Sequence, residues 1–275
     1  MKGLALRRLA RRGVRELLAL SALSLPLALP AHATTFTDGE FLTWSQVAWG
    51  GDPFCDPTVC NISGILENDF NSLFAPSDLL EVGVPGAGGF SMIFDSADAI
   101  IAYLPASGAP GPLTANLLDP VHTASGALGG EVLTATLNVT FSEDGLLAHP
   151  SGASFGDLVL QNLGSLPDDP VWGNGFGSEI AELDGQSVDE VLADANAILG
   201  GAASPFTPEE IFRLLNNIDM SFNGGPVSGF AMDYLALPEG STVPEPTTWA
   251  MTLIGFSGLG FAGWRSSRGP RSAAH

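Results

Sequence analysis

Apolar positions recur along the chain with two periods, and the breaks between them fall at Gly and Pro. Ile65, Leu66, Phe70, Leu73 and Phe74 follow helical spacing, and Pro76 ends the segment, so a helix is predicted over 65–74. Residues 79–84 and 89–94 are short β-rich runs on either side of the 85–88 turn, which predicts two strands. Residues 95–104 place Ala99, Ile100 and Tyr103 on one helical face and close at Pro105. The longest apolar-patterned stretch of the central region is 126–141. There Leu128, Val132, Ala135 and Val139 set a helical face that Leu133 and Leu137 widen. Thr136, Val139, Thr140 and Phe141 also carry strand propensity, so helix is weighed against strand and preferred.

Two more helices announce their starts. Ser187 and Glu190 form a capping box, in which Ser187 accepts from the Glu190 amide and Glu190 reaches back. Val188, Val191, Leu192, Ala195 and Leu199 follow, and Gly200-Gly201 stops the helix. Thr207 and Glu210 form a second box with Pro208 at the first helical position, ahead of Ile211, Leu214, Leu215 and Ile218. Residues 36–49 read as strand or extended chain, 158–160 as a short strand and 230–237 as a final strand. Residues 107–112, 119–120 and 168–185 read as loops. Helix and strand signals are mixed without βαβ regularity. The expected fold is α+β, a single domain with several helices packed on a small sheet.

The two ends of the chain are of a different kind. Residues 1–33 form a leader: Lys2, Arg7, Arg8, Arg11, Arg12 and Arg15 precede an apolar 17–29 run, and Ala31-His32-Ala33 gives an A-x-A cleavage site at Ala31 and Ala33. Arg11-Arg12 lacks the surroundings of a twin-arginine signal, so the general secretory route is expected. Residues 247–264 carry no charge and no proline. As a helix they would reach about 27 Å, close to a bilayer core of about 30 Å. Trp249 and Trp264 fall near the two interfaces, and Arg265, Arg268 and Arg271 form a basic cluster that keeps the far end cytoplasmic. A buried core helix is the competing reading, but it needs no such cluster. The expected layout is a 1–33 signal peptide, a 34–242 exported domain, a 243–268 anchor segment with a C-terminal transmembrane helix over 247–264, and a 269–275 cytoplasmic tail.

Charge sharpens this picture. The whole chain has ten Lys and Arg against thirty Asp and Glu. Once leader and tail are set aside, the body keeps one cation, Arg213, against twenty-eight carboxylates, a balance of −27. Such a body repels nucleic acid and anionic lipid. It reads as a solvated acidic surface, with divalent-cation binding as the alternative. Cys55 and Cys60 are the two cysteines, and outside the cytoplasm they are expected to close a small disulfide loop. No His lies near enough to complete a zinc site with them.

Candidate chemistry is sparse. Gly152-Ala153-Ser154-Phe155-Gly156 matches G-x-S-x-G, but His149-Pro150-Ser151 replaces the strand that should lead in. His122 and His149 also precede Ser154, so the match reads as chance. Glu143-Asp144, Asp168-Asp169 and Asp184/Asp189 are paired carboxylates compatible with solvated loops. Glu67, Asp69 and Asn71 alternate as calcium ligands do in a loop, whereas on a helix they diverge. No catalytic residue and no metal ligand is assigned, and Ca²⁺ is the one cofactor considered.

Val243, Pro244, Glu245 and Pro246, the apolar 247–264 run and the terminal arginines together resemble the PEP-CTERM sorting signal of Gram-negative bacteria. The resemblance implies recognition by an exosortase, a membrane cysteine protease-transpeptidase. That enzyme would cut near the motif and pass the protein to the cell surface or extracellular matrix, in company with exopolysaccharide and biofilm. The same tail is sometimes catalogued as an ice-binding-protein C-terminal domain, which describes the tail alone. The body resembles a module of bacterial surface proteins through Trp49-Gly50-Gly51, Gly89-Phe90-Ser91-Met92, 104–108, 129–139, 155–158 and 191–196, and that likeness implies no chemistry. The expected function is a non-enzymatic surface or matrix protein whose partners are exosortase and extracellular polysaccharide or surface proteins, with no nucleic acid. The alternatives are an enzyme acting on extracellular polysaccharide through paired carboxylates, and an acidic calcium-binding adhesion module.

Overall fold

The computed structural model describes residues 36–51, 62–166, 176 and 178–239. The stretch 36–49, expected to be extended, departs from a strand twice. It turns at Asp38-Gly39, makes one bridge from Thr43 to Asn223, and then winds into α1 (Gln46–Trp49), where Ser45 Oγ accepts from the Ala48 amide. The reason is that side chains take the place of a partner strand. Asn138 Oδ1 accepts from the Trp44 N–H at 2.9 Å, Asn138 Nδ2 donates to the Trp44 carbonyl at 2.9 Å, and Asn223 Oδ1 accepts from the Ser45 N–H at 3.1 Å.

Helix α2 (Ile62–Leu73) starts ahead of the expected 65–74 stretch and buries Ile62, Leu66 and Phe70 at four-residue spacing, while Ile65, Leu73 and Phe74 of the expected face are partly buried. Strands β1 (Leu80–Gly83) and β2 (Ser91–Phe94) pair antiparallel, with Leu80 opposite Phe94 and Val82 opposite Met92 on the buried face. Ser96 caps α3 (Ala97–Tyr103), which buries Ala97, Ile100 and Tyr103 and leaves Ala99 half-exposed. A short β3 (Leu117–Leu118), not foreseen from the sequence, adds parallel to β2 through Met92 and Ile93.

Helix α4 (Ala127–Glu143) runs through the centre, with α5 (Val188–Leu199) and α6 (Pro208–Asp219) packed on it together with α1 and β1. Both predicted capping boxes are present, with both reciprocal bonds at Ser187/Glu190 and at Thr207/Glu210. Residues 178–183, inside the expected 168–185 loop, form a 3-10 turn that buries Ile180 and Leu183. The final strand expected over 230–237 is mostly helix instead. Ser228 caps α7 (Gly229–Tyr234), which puts Phe230, Ala231 and Tyr234 on one buried face. Only β5 (Leu235–Ala236) is extended, and it pairs antiparallel with β4 (Val159–Leu160). The architecture is α+β, helices around two small sheets, one of three strands and one of two.

Helix α4 is buried on nearly every side, including Glu131, Thr134, Asn138 and Ser142, rather than along a single apolar stripe. Its glycines permit this. A Cβ on Gly130 would collide with Gln46 Oε1 and come within 2.8 Å of Ala106 Cβ, and one on Gly129 would collide with Ser125 Oγ and the Tyr103 hydroxyl. Gly to Ala inside a helix ordinarily stabilises by up to about 1 kcal/mol. Here overpacking, at about 1–3 kcal/mol, outweighs that gain, so Gly130→Ala is expected to lower the melting temperature. A thermal scan of the variant that matched or exceeded the wild type would contradict the close approach.

Candidate functional site

The polar side chains that the fold brings together lie where α4 meets the C-terminal end of α6, beneath α1. Glu131 projects from the first half of α4 and Asp219 is the last residue of α6; they are 3% and 1% exposed. Glu131 Oε1 accepts from Gln46 Nε2 at 2.6 Å and from Asn216 Nδ2 at 2.9 Å. Asp219 Oδ1 accepts from Asn138 Nδ2 at 2.9 Å. The two carboxyls lie close enough to act on each other directly.

Burial raises both acids above the ordinary carboxylate range. For Asp219 the charge of Glu131 adds to burial, and the Asn138 amide opposes it. For Glu131 the bonds from Gln46, Asn216 and Asp219 offset part of the effect. Asp219 Oδ2 is buried and has no hydrogen-bond partner, so it is the atom at which a proton would be held in place of a buried charge.

Asn138 joins this pair to the N-terminal segment. Besides Trp44, its Oδ1 accepts from Trp49 Nε1 at 3.1 Å, and the Trp49 ring packs edge-on to Phe141 with centroids 5.0 Å apart. Thr43 Oγ1 donates to the Asp219 carbonyl at 2.6 Å, and Gln46 Oε1 accepts from the Ala106 amide at 3.0 Å. One network thus ties residues 43–49 and 106 to α4 and α6. Neither described cavity is lined by Glu131, Asn138 or Asp219. A cavity of about 30 Å³ beneath Tyr103, Ser107, His122 and Thr123 has room for a water, and an open groove of about 390 Å³ runs along β4 and residues 236–239. A glycosidase holds its carboxyls across a substrate cleft; Glu131 and Asp219 are instead buried among packed helices and bonded to side-chain amides.

A second gathering of acids lies on the surface, where burial raises Glu143 and Asp189, with further contributions from Asp157 to both, from Asp189 to Glu143 and from Glu190 to Asp189. Among the described residues no group of three or more His, Cys, Asp or Glu side chains is placed to hold a metal ion. Glu67, Asp69 and Asn71 all sit on α2, where a two-residue step turns successive side chains by roughly 200°. Ser154 is in a turn, not a strand-to-helix elbow. Its amide and hydroxyl both donate to Asp157 Oδ2, at 2.7 and 2.8 Å, and His149 Nδ1 lies 3.0 Å from the Pro150 carbonyl oxygen.

Of the site residues expected from the sequence, Ala31, Ala33, Cys55, Cys60, Val243, Pro244, Glu245, Pro246, Arg265, Arg268 and Arg271 lie outside the described residues, as do Asp168, Asp169 and the 247–264 run. Among the described residues no helix is long and apolar enough to cross a membrane. The buried acid pair, in contrast, was not anticipated. The available signal was Glu131 and Asn138, two polar residues two helical turns apart within an apolar run, and so on one face.

No curated protein and no solved structure matches the chain. One family model does, over residues 242–268, and its description is PEP-CTERM protein-sorting motif. The matched residues are those already singled out: Val243-Pro244-Glu245-Pro246, the uncharged 247–264 run, and Arg265 and Arg268 after it. This chain carries a PEP-CTERM sorting signal at residues 242–268.

Proposed function

We propose that the protein is a non-catalytic component of the cell surface or extracellular matrix, exported, cut at its sorting signal, and partnered there by exopolysaccharide or other surface proteins. The observation that carries this reading is the match over 242–268. A PEP-CTERM signal implies recognition by exosortase and export to the surface through a membrane-anchored intermediate. Residues 247–264 would supply the anchor, with Arg265, Arg268 and Arg271 on the cytoplasmic side. The body's balance of one cation against twenty-eight carboxylates supports a solvated extracellular role and argues against a nucleic-acid partner. A non-catalytic body is supported by the buried carboxyls Glu131 and Asp219 being bonded to neutral amides and lining neither described cavity.

The test is the intact mass of the mature protein recovered from its native host. A chain that begins near Thr34 and ends near Pro244 is the expected result. A mature protein that retains residues 247–275 would remove the sorting step from the reading and leave a permanently anchored chain.

A further inference from the structure

We propose that Glu131 and Asp219 form a proton-held joint between α4, α6 and the 43–49 segment, closed while a proton is held between the two acids and released when rising pH removes it. The geometry carries this. Both carboxyls are inaccessible to water, at 3% and 1% exposure, and their partners are the amides of Gln46, Asn216 and Asn138. Asp219 Oδ2 is buried with no hydrogen-bond partner, so a proton of its own is what spares it a buried, unpaired charge. Without that proton two negative charges would share the core, and no side-chain cation is bonded to either carboxyl among the described residues. Breaking such a buried arrangement is far more costly than losing an exposed ion pair.

Titratable groups on the surrounding elements are engaged elsewhere. Glu81 of β1 accepts from Ser91 Oγ at 2.6 Å. In α5, Glu190 caps Ser187, Asp189 lies against Gly156, and Asp194 is half-buried. In α6, Glu209 holds Arg213 at 2.8 Å and Glu210 caps Thr207. At the far end of α4, Glu143 faces Asp157 and Asp189. On α7, Asp233 is exposed and Tyr234 packs on Phe230 with ring centroids 5.1 Å apart. The segment that contains α1 contributes Gln46 and no acid or base. The pair is thus each acid's own titrating neighbour.

The sign follows from burial. The folded pair holds a proton that the unfolded chain releases above about pH 4. Its stabilising contribution is complete below that pH and is lost as pH rises through the raised folded value. One extra proton in the folded state corresponds to about a tenfold fall in the folded-to-unfolded ratio per pH unit across that window. The first contacts released are those of the N-terminal segment, because Gln46, Thr43 and Trp44 are bound to Glu131, Asp219 and their neighbour Asn138.

Two substitutions keep the hydrogen bonds and remove the coupled titration. In Asp219→Asn the side-chain NH₂ takes the place of the protonated oxygen and donates to Glu131, while the amide oxygen still accepts from Asn138. In Glu131→Gln the amide oxygen still accepts from Gln46 and Asn216, and its NH₂ donates to an ionised Asp219. Denaturation midpoints of the full chain and both variants, measured from pH 5 to pH 9, are the test. The wild type is expected to lose stability relative to both variants as pH rises, with amide exchange at Trp44 and Ser45 accelerating in step. An equal pH slope in all three proteins would overturn the proposal. So would failure of both variants to fold, because each reproduces the singly protonated bonding pattern.

Discussion

Asn138→Asp is expected to destabilise the body by on the order of 3–5 kcal/mol at neutral pH, a large share of the roughly 5–15 kcal/mol that holds a typical domain together. The side chain is fully buried and has the same shape before and after substitution, so packing is not the cause. Its polarity is. Asn138 Nδ2 donates to the Trp44 carbonyl and to Asp219 Oδ1, each at 2.9 Å. An Asp oxygen in that place sets an acceptor against two acceptors and adds a third carboxyl beside Glu131 and Asp219. The new carboxyl has no cation within its bonding set, so burial favours its neutral form. Its folded pKa is raised, and the loss it causes therefore shrinks as pH falls toward its ordinary value near 4. Asn138→Leu supplies the control. It strands the Trp44 amide and carbonyl and Trp49 Nε1 without partners, but it introduces no charge, so its loss should not recover in acid. Denaturant midpoints of both variants at pH 5 and pH 7.5 separate the two causes. A neutral-pH midpoint for Asn138→Asp equal to that of the wild type would show that this network does not hold the segment.

The same residues show how far local sequence reaches. Helices α5 and α6 are legible because their start signals lie within four residues, Ser187 to Glu190 and Thr207 to Glu210, and both boxes form. The β1–β2 pair is legible because two short β-rich runs flank one short turn. What decides residues 36–49 is remote: Trp44 meets Asn138 at a separation of 94 residues, and Gln46 meets Glu131 at 85. No window along the chain contains both partners, so β-like composition alone suggested a strand where side-chain amides had taken over the backbone bonds. At α7 the error is of another kind. Phe230, Ala231 and Tyr234 suit either period over so short a run, and the Ser228 cap, which accepts from the Ala231 amide at 3.1 Å, tips the balance to helix. The acid pair was hidden because a Glu inside an apolar helix carries no mark of its partner. The sorting signal is readable for the opposite reason, since all its parts are contiguous in 242–268.

That contiguity allows the signal to be divided by substitution, and the two halves should fail in different ways. With Pro244→Ala/Glu245→Ala/Pro246→Ala the Pro-Glu-Pro motif is lost, and so are the two prolines that would keep the proposed helix over 247–264 from running back toward the body. The anchor and its basic end remain. Nearly all of the protein should therefore accumulate uncut in the membrane fraction, with residues 247–275 present in its mass. With Arg265→Glu/Arg268→Glu/Arg271→Glu the motif is intact and the anchoring is not. As a helix a run of eighteen residues would reach about 27 Å against a core of about 30 Å, and Gly255, Gly258, Gly260 and Gly263 weaken its apolar character. On the proposed reading so marginal a span would depend on the arginines for its orientation, and acidic replacements would withdraw that bias. This variant should also stay uncut, but it should be released from the membrane or lie in it the wrong way round, because the motif no longer reaches a membrane-bound enzyme from the correct side. Fractionation with intact mass measurement distinguishes the outcomes. Normal cutting of the proline–glutamate variant would show that processing does not read this motif. Normal cutting of the arginine variant would show that residues 247–264 hold their orientation unaided, and the topology would then rest on the apolar run alone.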